Sequence, residues 1–153
     1  MKKIQALLGA TLIAAGALAC GGASQDSATA QTTTAAAPAA GQDQVALGAK
    51  LYGESCAGCH GANGEGNAKA PPVVGKDALP LEPRPQAQAR KAPFHTAADV
   101  LDFVKKNMPP KNPGSLTDEQ YAAIIAFDLH ANGVNVSGKK VDATTASTYV
   151  LHP

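Results

Sequence analysis

The chain has 153 residues, room for one domain with tails, and its 13 Lys or Arg against 12 Asp or Glu leave a formal net charge of +1. So even a balance lacks the basic excess that nucleic-acid binding draws on, and no motif for a small-molecule substrate stands out, so neither is expected as a partner. With three Phe, three Tyr and no Trp, the chain has little aromatic mass from which to build a core of its own.

The extremes of composition lie at the front. Lys2 and Lys3 precede an apolar stretch from Ile4 to Ala19 that is too short and too abruptly ended for a membrane span, so residues 1–19 read as a secretory signal. The mature chain is expected on the periplasmic side of a bacterial membrane. Cys20 follows Ala17-Leu18-Ala19, which resembles a bacterial lipoprotein cleavage box, in which the cysteine after the cut becomes the lipid-modified first residue. Ala17 departs from the leucine usual in that box. Ala17-x-Ala19 also suits an ordinary signal peptidase, which would leave a soluble periplasmic protein with a free thiol. Because an unpaired exported cysteine needs a reason to exist, lipidation at Cys20 is the favoured reading, with about 0.8 kcal/mol of anchoring from each buried methylene.

Residues 20–44 form a lipid-anchored flexible linker in this reading. From Gly21 to Gln44 there is hardly a bulky apolar side chain, so the segment cannot offset its own ordering entropy. Flexible-chain scaling gives such a tether a typical reach of roughly 25 to 30 Å.

Residues 45–133 read as one domain. Val45 to Cys59 predicts a short helix with Leu47, Leu51 and Tyr52 on one face. It carries Cys56-Ala57-Gly58-Cys59-His60. Two thiols three positions apart and an adjoining imidazole are what covalent attachment of a c-type haem requires: the cysteines bond the porphyrin vinyl groups and the histidine ligates iron. A thioredoxin-like disulfide would want a βαβ context, which is missing from the pattern around the motif. A zinc site would need two more ligands at short spacing, and only His95, His130, His152 and the distant Cys20 remain.

Gly61 to about His95 predicts a long irregular stretch, broken by Pro71-Pro72 and by Pro80, Pro83, Pro85 and Pro93. A loop of that length is unusual in a compact domain unless something else, here a large apolar cofactor, supplies the core around which it packs. Thr96 is the expected N-cap of the next helix, with Asp99 three residues on and Val100, Phe103 and Val104 on its buried side. Asn107-Met108-Pro109-Pro110 ends that helix and puts Met108, the only methionine left after signal cleavage, at a chain reversal. Thr117-Asp118-Glu119-Gln120 fits a capping box for the last helix, whose stripe is Tyr121, Ile124, Ile125 and Leu129 and whose stop is Asn132-Gly133. Residues 134–153 hold no period and are expected as an extended tail laid on the domain surface.

From Val45 to Gly133 the chain resembles the class I cytochrome c family. The resemblance rests on Gly48 and Tyr52, the attachment motif, Pro71 with Val73 and Gly75, Met108-Pro109, and Phe127 in the closing helix. It implies an all-α fold wrapped around one covalently bound haem c, with the first and last helices crossing at Gly48, Tyr52 and Phe127. It further implies His60 and Met108 as axial ligands to iron, and a Pro71 carbonyl, with Pro72 the competing choice, receiving the free ring N–H of His60. Met108 has a plainer alternative as a gap-filling core residue. His95 is a spare ligand; His130 and His152 read as surface residues.

The resulting expectation is an electron-transfer protein rather than an enzyme, passing single electrons between redox partners. Lys105, Lys106 and Lys111 flank Met108 and would meet an acidic partner, although cations also suit a helix C-terminus. A weaker resemblance, on Met108-Pro109-Pro110, Pro113-Gly114-Ser115-Leu116 and the Asn-Gly ending, is to small cytochrome domains that accompany periplasmic quinoprotein dehydrogenases. It implies the first alternative, a dedicated haem subunit of a dehydrogenase or oxidase complex. The second alternative is a haem sensor or peroxidase with an open iron site.

Overall fold

Gly48 decides how the helices meet. A Cβ at this position would run into the carbonyl of Ala123 and lie 3.0 Å from the Cβ of Phe127, so only glycine permits the crossing. The computed structural model describes residues 40–152, in which helix α1 (Ala40–Ser55) crosses helix α4 (Asp118–Ala131) at that point. The rings of Tyr52 and Phe127 pack beside the crossing, 5.1 Å apart. The expected signal segment, Cys20 and most of the expected linker lie outside the described residues.

The remaining elements are α2 (Ala57–His60), α3 (Ala97–Asn107) and a short 3-10 turn, Ala146–Thr148. No strand occurs among the described residues, and one isolated bridge joins Thr96 to Val150. The all-α expectation holds. Helix α4 is central, buried along Tyr121 to Ala126 and at Asp128 and Leu129, because α1 covers one side of it and α3 another.

Both predicted caps are present. The Thr117 hydroxyl accepts from the Gln120 N–H at 3.3 Å while the Gln120 side chain accepts from the Thr117 N–H at 2.8 Å. The Asp99 carboxylate accepts from the backbone N–H groups of Thr96 (2.8 Å) and His95 (2.9 Å), which meets donors that a helix start leaves open. Burial works to raise the Asp99 pKa, but these bonds and the Thr96 hydroxyl outweigh it and the net shift is downward.

Two boundaries differ from the sequence reading. Helix α1 begins at Ala40, so the last five residues assigned to the linker belong to the domain. Their partner is the C-terminal segment: the Gln44 side chain donates to the Val141 carbonyl at 2.7 Å and accepts from the Val141 N–H at 2.8 Å. Residues 134–153 are correspondingly no surface tail. Val136, Val141, Ala146 and Tyr149 are buried in the main core with Phe94, Val100, Ile125 and Leu129. Their irregular spacing hid this, since the segment packs through isolated plugs on a non-repeating backbone. The Asp142 carboxylate holds that backbone by accepting from Thr144 (2.8 Å) and Thr145 (2.9 Å) N–H groups.

The long loop after His60 is organised from inside. Arg90, 8% exposed, places its guanidinium 3.5 Å from the centre of the Phe94 ring and donates to the carbonyls of Leu81 and Ala92. Phe94 then packs edge-on against Phe103 of α3 at 5.6 Å.

Candidate haem site

Helix α1 stops at Ser55 and the chain resumes as the single turn α2, with Cys56 between them at φ −120°. The N–H groups of Cys59 and His60 both donate to the Cys56 carbonyl at 3.0 Å, which winds the motif into a helical turn. Residues three and four apart on such a turn share a face. Cys56, Cys59 and His60 are thereby brought together on one side of the backbone, with Ala57 and Gly58 between them.

His60 is held from behind. Its Nδ1 lies 2.8 Å from the Pro71 carbonyl, which has no proton to give, so Nδ1 carries the hydrogen and Nε2 is left with a free lone pair. Pro71 is therefore the partner and its rival Pro72 is not. Asn132 holds the chain behind Pro71 in turn: its Oδ1 accepts from the Gly75 N–H at 3.0 Å, and its Nδ2 donates to Val73 (2.8 Å) and Asp128 (2.7 Å) carbonyls. In the sequence Asn132 reads as a helix stop only; the available signal is an asparagine side chain able to pair with both a donor and an acceptor.

Met108 closes α3, where its N–H donates to the Val104 carbonyl at 2.8 Å and its own carbonyl accepts from the Tyr121 hydroxyl at 2.7 Å. The side chain is half-buried. No hydrogen bond joins Met108 to His60; Met108 is tied to Tyr121 in the first turn of α4, and the loop behind Pro71 to Asn132 just past the end of that helix. His95, His130 and His152 are exposed, and the His152 ring bonds the Leu79 carbonyl at 2.9 Å.

The lysine edge is less free than its sequence implies. Lys105 pairs with Asp118 at 2.7 Å and Lys106 with Asp102 at 2.6 Å, while Lys111 is exposed on the turn after Pro110.

These residues fit a covalently bound haem. Cys56 and Cys59 are unpaired, and half-buried apolar groups (Ala57, Val73, Leu116 and Phe127) gather around the smaller core cluster at the attachment turn. The Cys56 thiol is pushed up to about 11, by burial first and then by Asp128 and Cys59. That is the opposite of the lowered pKa that marks a reactive redox thiol. Among the described residues no three His, Cys, Asp or Glu side chains gather as a metal site.

A helical attachment turn, an imidazole backed by a carbonyl and an all-α domain crossed at a glycine define a c-type cytochrome domain. Residues 43–127 match the family described as cytochrome c oxidase, cbb3-type, subunit III. The chain belongs to that family; it binds haem c covalently and works in electron transfer. Among curated relatives, the thiosulfate dehydrogenase of Stutzerimonas stutzeri (strain A1501) is 29% identical, the match covering 64% of this chain and 38% of that protein. The thiosulfate dehydrogenase of Psychrobacter arcticus (strain DSM 17307 / VKM B-2377 / 273-4) is 34% identical over 54% of this chain and 24% of its own length. The chain thus spans well under half the length of these relatives. The crystal structure of the sulfane dehydrogenase SoxCD from Paracoccus pantotrophus matches with a TM-score of 0.54 and 28% identity, over 86% of this chain and 67% of that one. The cytochrome c fold expected from the resemblance is therefore present.

Proposed function

We propose that this chain is an exported, membrane-tethered carrier of single electrons with one haem c, attached at Cys56 and Cys59 and ligated by His60 and Met108. The observation that carries the reading is the His60–Pro71 bond of 2.8 Å, which leaves Nε2 as the only ring nitrogen available to iron. When bound, the group would supply a one-electron couple, and ligation by Met108 and His60 would give it a higher potential than bis-histidine ligation. The protein's own part is to orient His60 through Pro71 and to hold the Met108 segment through Tyr121. A second reading, a dedicated haem subunit of a dehydrogenase acting on small sulfur compounds, is favoured by the thiosulfate and sulfane dehydrogenases among its relatives. That would replace the quinoprotein partner which the weaker sequence resemblance implied. Lys111 is the lysine best placed to meet an acidic partner, since Lys105 and Lys106 already share their charge with aspartates.

The test is the visible spectrum of the purified protein with its Met108→Ala variant. The wild type is expected to show a low-spin oxidised form with a far-red methionine-to-iron band. Met108→Ala should lose that band, keep covalent haem and lower the potential. A high-spin wild type, or an unchanged potential in the variant, would remove Met108 from the site and favour the open-iron alternative.

A further inference from the structure

Asp128 sits where the apolar stripe of α4 should continue. Tyr121, Ile124 and Ile125 precede it at helical spacing, and the residue is 5% exposed with its Oδ1 lacking any hydrogen-bond partner. An ionised carboxylate so buried and unpaired is costly, and such a group ordinarily takes up a proton instead. It lies one residue beyond Phe127, which packs on Tyr52 at 5.1 Å, and its charge reaches the Cys56 sulfur. A carboxyl whose field reaches Cys56 also acts on whatever Cys56 carries.

We propose that Asp128 is a proton-binding site coupled to electron transfer: it binds one proton from solvent when the protein accepts an electron from a one-electron donor, and releases that proton when the electron leaves. The proposal rests on haem attachment at Cys56 and Cys59. Oxidised iron adds a positive charge that favours the carboxylate, and reduction removes it, so the proton is held more tightly in the reduced protein. Burial already pushes the Asp128 pKa well above the ordinary carboxylate value. The ionisable groups facing it from α1 and the attachment turn are Tyr52 and Cys56. The Tyr52 hydroxyl is raised by burial first and then by Asp128, Cys56 and Glu65, so it stays neutral, and Cys56 no longer titrates once alkylated. The Val73–Gly75 loop brings no ionisable side chain. On α3, Lys105, Lys106 and Asp102 are engaged in surface ion pairs and Asp99 in its helix cap, and on α4 itself His130 is exposed.

The experiment is the midpoint potential of the haem-loaded full chain, by spectroelectrochemistry from about pH 5 to about pH 9, for wild type and Asp128→Asn. Between the two pKa values of Asp128 the wild-type potential should fall with rising pH, approaching one tenfold change in the redox equilibrium per pH unit, about 59 mV. Asp128→Asn, nearly isosteric and uncharged, should be flat and should coincide with the low-pH plateau of the wild type. Redox-difference infrared spectra of the wild type alone should show a protonated carboxyl band growing on reduction. A flat wild-type potential, the same slope in both proteins, or no such band would each overturn the proposal. Covalent haem is measured in parallel: its absence would bring down the carrier reading as well, whereas haem-loaded protein with a flat potential would bring down the proton site alone.

Discussion

His60 can offer iron only Nε2, because Nδ1 is committed to the Pro71 carbonyl. The strength of that bond sets how much electron density the ring gives, since a well-held N–H acceptor increases ligand basicity. Asn132 controls it at one remove by fixing the Val73 and Gly75 backbone. Replacing Asn132 with Ala removes both ties to the loop, each worth about 1 kcal/mol. With Pro71 less firmly placed, His60 should donate less and the reduction potential should rise by tens of millivolts, given that about 1 kcal/mol corresponds to roughly 40 mV for one electron. A potential unchanged in Asn132→Ala, with stability lowered, would make the clamp purely structural.

At the scale of elements, α4 is the frame that holds both the Met108 segment and the loop behind His60. Tyr121 in its first turn holds the Met108 carbonyl, and Asn132 just past its end holds the loop behind His60, 11 residues and roughly 16 Å apart at 1.5 Å per residue. Helix α1 brings the attachment turn against this frame only because Gly48 admits the Ala123 backbone. Gly48→Val should therefore cost about 3 kcal/mol or more, the upper part of the range for overpacking, since backbone rather than a flexible side chain is in the way. A thermal midpoint lowered by on the order of 10 °C is expected, and an unchanged midpoint would mean the helices do not depend on that contact. Both helix caps and the attachment turn were legible in the sequence because each is a local pattern with one dominant physical solution, whereas the crossing at Gly48, Tyr52 and Phe127 was legible only through the family resemblance. Asn132, Arg90 and Asp128 were not, because what each side chain meets comes from segments distant in the chain or depends on depth in the core. Met108 falls between the two: Pro109 marks the end of α3 in the sequence, but the hold of Tyr121 on its carbonyl is tertiary.

For the whole molecule, two ends bear on function in different ways. Cys20 lies outside the described residues, and if it carries lipid then Cys20→Ser should move the protein from the membrane fraction to the soluble one with haem content unchanged; a wild type already soluble would refute the anchor. The C-terminal segment belongs to the fold itself. Val136, Val141 and Tyr149 are each buried, and burial of a large apolar side chain contributes about 1.5–3 kcal/mol. Together they account for on the order of 5 kcal/mol, comparable with the entire stability of a marginal domain. The segment also completes the N-terminal turns of two helices, through Gln44 with Val141 on α1 and through the Ala97 N–H donating to the Tyr149 carbonyl at 2.9 Å on α3. Helix α3 ends at Met108, the proposed second ligand, so loosening its start should also reach that residue. Deleting residues 134–153 is accordingly expected to leave a chain that is mostly unfolded or rapidly proteolysed near physiological temperature, and the milder Val141→Ala to lower the thermal midpoint while retaining haem. Limited proteolysis and thermal unfolding distinguish this from a surface tail, whose removal would leave both unchanged.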